Sequence, residues 1–143
     1  MTHDTRVLLM GIILVGFAVA RVGGQVYVKY YSPSWLSPFE DWYSGLVSYR
    51  TVFLWQLWFV FVMVWIFLGV AYGIGILGHP AMKVMETPFL YIGYVYFGAM
   101  IFRYIFTMWK HPDRRWFKKT VPIWFHLALA TYTSLYGGHF QSI

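Results

Sequence analysis

The chain has 143 residues, of which 59% are hydrophobic, 23% aromatic and only 11% charged. An average soluble domain carries about 25% charged residues, so these few cannot coat a water-facing surface, and the sequence reads as a single-domain integral membrane protein. It has no cysteine, which excludes disulfides, thiolate metal sites and thiol catalysis, and its net charge of +6 lacks the soluble platform that a nucleic-acid-binding role would need.

Four apolar stretches follow in chain order. The first covers 7–24, with Arg21 near its end. Ala18-Val19-Ala20 has the look of a signal-peptide cleavage site, but the span is expected to be retained. The second covers 51–78 and carries no Asp, Glu, Lys or Arg. As one helix it would reach about 42 Å at ~1.5 Å per residue, so it is expected to tilt or protrude from a ~30 Å hydrocarbon core. The third covers 88–109, interrupted by Arg103, and the fourth covers 120–136. Only helices or closed barrels satisfy their backbone groups in lipid. The expected fold is therefore all-α, a polytopic bundle of about four transmembrane helices within one domain, 1–143.

The longest connection, 25–50, holds Tyr27, Tyr30, Tyr31, Trp35, Phe39, Trp42, Tyr43 and Tyr49 beside Pro33 and Pro38. It is too aromatic for a free loop. Such rings favour the headgroup zone or a neighbouring subunit, and Trp35 and Trp42 are assigned to that lipid- or partner-facing surface. The connection between spans three and four concentrates Lys110, Arg114, Arg115, Lys118 and Lys119. Arg21, Lys29 and Arg50 add to that side, against Arg6 and Lys83 on the other. This bias puts both larger loops in the cytoplasm and both termini outside a plasma membrane. The basic loop also suits anionic lipid headgroups.

Few residues offer chemistry. The five carboxylates, Asp4, Glu40, Asp41, Glu86 and Asp113, all fall in loops or at span ends. Ion-coupled transport uses ionisable groups at depth, so a stand-alone transporter is disfavoured. His126 lies inside the fourth span. It is either a metal or haem ligand or a hydrogen-bonding group between helices, and the second reading is preferred. His139, 13 positions on, points about 220° away on a straight helix. His79 is expected at a different level. Arg103 is assigned either to snorkelling toward the basic loop or to an ion pair with a partner. Gly69 and Gly73 share a face in span two, and Ala130 and Ser134 share one in span four; both pairs are expected to permit close helix packing. No catalytic, cofactor-binding or metal site is assigned to this chain.

Two stretches carry a resemblance. One is Tyr27-Val28-Lys29-Tyr30-Tyr31-Ser32-Pro33-Ser34-Trp35-Leu36-Ser37-Pro38-Phe39-Glu40-Asp41-Trp42-Tyr43. The other is the basic loop running into span four, which ends Tyr132-Thr133-Ser134-Leu135-Tyr136-Gly137-Gly138-His139-Phe140. Together they resemble the N-terminal half of the C subunit of particulate methane and ammonia monooxygenases, over about half of this chain. In that family the copper-binding Asp and His residues follow the Gly-Gly turn, so none is carried over to these residues. Pro122 stands where an Asp-x-x-x-His pairing with His126 would need its carboxylate. The resemblance implies a non-catalytic accessory subunit, as in archaeal ammonia monooxygenase, packed against A, B and C type subunits. Copper and the oxidation of ammonia or methane would belong to the host complex. The alternative is a small subunit of a respiratory or photosynthetic electron-transfer complex, with a haem at His126.

Overall fold

The computed structural model describes residues 1–36, 38–42, 47–114 and 121–142. Among the described residues the chain is helical throughout, with no strand. Helix α1 runs over His3–Tyr31. Thr2 caps it, its hydroxyl accepting from the Thr5 amide at 3.2 Å. Ser32 ends it in a left-handed conformation, φ 42°. Its middle, Phe17–Gly23, is π-helical. A single turn, α2 (Phe39–Trp42), follows. Helix α3 covers Tyr49–Tyr72 behind a Ser48 cap, α4 covers Glu86–Lys110 and α5 covers Val121–His139. Short 3₁₀ turns fill Ile76–Gly78, Pro80–Met85, Pro112–Arg114 and Phe140–Ser142.

Three helices are long and apolar enough to cross a membrane: His3–Tyr31, Tyr49–Tyr72 and Pro80–Lys110, the last counting the 3₁₀ turn ahead of α4. The fourth expected span is helical but is not among them. Its surroundings explain this. α5 is the inner helix of the bundle, and Ile123, Ala130, Tyr132, Leu135 and Tyr136 on it are buried. It meets protein on more of its surface than the other helices do, so it tolerates polar side chains that find partners. The Tyr132 hydroxyl donates to the Met63 carbonyl at 2.5 Å and that of Tyr136 to the Leu77 carbonyl at 2.8 Å. Thr131, Thr133 and Ser134 each donate to the carbonyl four residues back.

Two expected boundaries move. The first connection does not begin at residue 25, because Gly24–Tyr31 continues α1 as regular helix. The second span does not run unbroken to residue 78. Gly73 takes φ 67° and caps α3 at Tyr72. The chain then folds back so that Gly78 lies on Gly69. At 24 residues, α3 is about 36 Å long, which roughly halves the predicted excess over a ~30 Å hydrocarbon core.

The helices alternate in direction. The His3 ring reaches the Val70 carbonyl at 2.9 Å and stands 6.2 Å from the His139 ring. Both ends of the described chain therefore lie at one end of the bundle. At the other end, Gln25 of α1 meets Gln56 of α3, and Tyr104 of α4 meets Trp124 of α5 at 5.3 Å between rings. The core between α1, α3 and α5 is built on Met10, Phe17, Met63, Val70, Tyr136 and Phe140.

Candidate functional site

The richest polar arrangement lies between α1, α2 and α3, in the half of the bundle nearer the basic loop. The Trp42 carbonyl is its anchor, and a carbonyl can only accept. Arg21 Nη1 donates to it at 2.8 Å and Gln25 Nε2 at 3.1 Å. This fixes the Gln25 amide, whose Oε1 turns to α3 and accepts from Gln56 Nε2 at 2.8 Å. Gln56 Oε1 is the end of the relay, buried and without a donor. The π-helical stretch is what presents Arg21 here. Single-turn π segments often mark functional positions in helices, and this one buries Phe17, Arg21 and Val22 together.

Beside this relay, α1, α3 and α5 leave a cavity of about 210 Å³. Phe17, Arg21, Trp55, Gln56, Phe125 and His126 are among the residues that line it. The Arg21 guanidinium also lies over the Phe125 ring, 5.6 Å from its centroid. His126 Nδ1 is hydrogen-bonded to the Tyr96 hydroxyl of α4, a contact between two helices. His79 is elsewhere, in the return turn, where its Nδ1 accepts from the Ala81 amide at 3.1 Å. Among the described residues, no group of three or more His, Cys, Asp or Glu side chains converges as a metal site.

The assigned packing and surface residues separate. Gly69 is in close contact, but with the backbone of Gly78: a Cβ on it would come within 2.7 Å of the Gly78 nitrogen. Among the described residues, Gly73 packs against no other helix of this chain. A Cβ there would meet nothing within 4 Å, and its positive φ makes it a helix cap. Ala130 is fully buried. Ser134 packs on Gly93, where a Cβ would come within 2.9 Å of the Ser134 nitrogen. A Cβ on Gly137 would come within 2.8 Å of the Leu90 nitrogen. Gly93 and Gly137 therefore set the α4–α5 approach, and sequence spacing within one helix had no means of pairing them. The expected Gly-Gly turn is likewise corrected, since α5 continues through Gly137 and Gly138 to His139.

Trp35 is 74% exposed, whereas Trp42 is only 7% exposed and is not a surface anchor. Its ring lies on Gly24 and 6.4 Å from Phe125, between α1 and α5. Arg103 is exposed on α4. Lys110 is also exposed, with its ammonium 4.8 Å from the Phe106 ring centroid. The backbone of Arg114 is in the Pro112–Arg114 turn. Arg115, Lys118 and Lys119 lie outside the described residues. Lys29, counted above for its charge alone, holds its ammonium 4.0, 5.8 and 6.0 Å from the rings of Tyr49, Tyr30 and Phe39.

No family model, curated protein or solved structure matches this chain.

Proposed function

We propose that this chain is a non-catalytic accessory subunit of a multi-subunit membrane complex. The observation that supports this reading is the large apolar surface left outside the bundle. In the three long helices, only 17%, 17% and 6% of the most apolar window is buried. The least covered helix, α4, leans on α5 along one edge and turns Tyr91, Tyr94, Phe102 and Trp109 outward. On α3, Trp58, Phe61 and Trp65 form a continuous exposed row with ring centroids 5.7 and 6.0 Å apart. Rigid aromatic faces of this kind suit packing against further helices as well as lipid.

The resemblance of 27–43 and of the α5 region to the copper monooxygenase C subunit names the host. It would be a plasma-membrane complex oxidising ammonia or methane at copper held by its other subunits. Within it this chain crosses the membrane four times, with both termini outside and its basic loop at anionic headgroups. The test is gentle extraction of native membranes through a tag on this chain. Copper-bearing subunits are expected at fixed stoichiometry, with copper content unchanged by His126→Ala. Migration of the chain alone would overturn the proposal. So would an isolated preparation that binds its own redox metal and turns over substrate.

A further inference from the structure

We infer that the cavity between α1, α3 and α5 is a binding site for an alkyl carboxylate, with Arg21 as its charge partner. Arg21 is only 9% exposed, so its side chain does not reach out to water or headgroups. Among the described residues no carboxylate pairs with it. Asp4 pairs with His3 at the opposite end of the bundle, and buried Asp41 makes no ion pair with Arg21. Yet a guanidinium carries five N–H donors, and one carbonyl and one ring face account for little of that capacity. A buried cation without a counter-charge is costly, and in membrane helices such residues mark sites for ligands or partners.

The cavity provides what the counter-charge would need. Arg21 lines it on one side. Phe17, Val52, Phe59, Phe125 and Leu129 supply walls for a hydrocarbon body. The planar guanidinium fork matches a carboxylate, with two parallel hydrogen bonds. A phosphate fits less well, because its extra oxygens need more donors. Gln56, held in orientation by the relay, lines the same wall, its amide N–H already given to Gln25. At about 210 Å³ the space takes the carboxyl end of a single chain. The inference is independent of which complex hosts the protein.

The test uses the full chain in nanodiscs of zwitterionic lipid, with dodecanoate, dodecanol and dodecyl phosphate as probes in calorimetric titration. Dodecanoate is expected to bind once per chain, at least about tenfold more tightly than either analogue. Arg21→Gln is expected to weaken dodecanoate by a similar factor while leaving dodecanol unchanged. Leu129→Trp, which fills the cavity and keeps Arg21, is expected to abolish binding; it serves as the second variant if Arg21→Gln fails to fold. Dodecanol binding as tightly as dodecanoate would overturn the site as a charge-matched one. Equal affinity for dodecyl phosphate would overturn the carboxylate assignment. Undiminished dodecanoate binding in both variants would overturn the location.

Discussion

The Trp42 carbonyl shows how one atom can set the orientation of a buried network. Since it only accepts, Gln25 must present its amide nitrogen, and the orientation of Gln56 follows. Each link is shared, so the links do not add. Replacing Gln25 or Gln56 by leucine leaves the other amide with a buried unpaired group and is expected to cost about 1–2 kcal/mol. The double Gln25→Leu, Gln56→Leu variant removes both ends of the bond and is expected to cost clearly less than the sum. Reversible unfolding in bicelles, run as a four-member cycle, checks this; strict additivity would show that the two amides are not coupled. Arg21 was visible in the sequence as a cation near a span end. Its burial was not, because snorkelling and burial look alike until the partner is known. The available signal was Gln25 four positions later together with Gln56, a polar residue in a span without charge.

At the scale of elements, four helices in the expected places were legible, because apolar runs between basic and proline-rich connections dominate this sequence. Their ends were less so. The Gly69/Gly73 spacing fits both a packing face and a helix stop, and composition alone cannot separate a continued helix from one that folds back on itself. The structure divides the pair: Gly69 receives the returning chain and Gly73 turns it. The two roles predict different chemistry. Gly73→Leu is expected to destabilise by about 1–2 kcal/mol through backbone strain, whereas Gly73→Asn, which tolerates the left-handed region, is expected to recover most of that loss. Thermal unfolding of the two variants distinguishes the roles; an asparagine variant as impaired as the leucine one would restore the packing explanation. The inner position of α5 was also hidden. Its Tyr, Thr and Ser content weakens the apolar signal for the same reason that it suits a helix surrounded by carbonyl acceptors.

For the whole molecule, orientation rests on where the cations are. Two of those counted at the outset, Arg6 and Arg21, are buried, so they do not act as free loop charges. The remaining bias comes from Lys29, Arg50 and the basic connection before α5, and it keeps its direction. The absence of native cysteine makes this directly measurable. Ser34→Cys and Val84→Cys place single thiols at exposed positions at opposite ends of the bundle. With a membrane-impermeant maleimide, the Val84→Cys variant is expected to react in intact cells and the Ser34→Cys variant only in inverted vesicles. The reverse pattern would invert the orientation, and labelling of both from one face would contradict the alternating helix directions.

The meeting of His3 and His139 has a topological consequence. Where the outer ends of the first and last helices of a bundle sit side by side, the order in which the helices are joined is not essential to their arrangement. A short bridge from His139 to His3 would join those two helices directly, and a new opening at the exposed His111–Asp113 segment would let the same bundle be read from a different first helix.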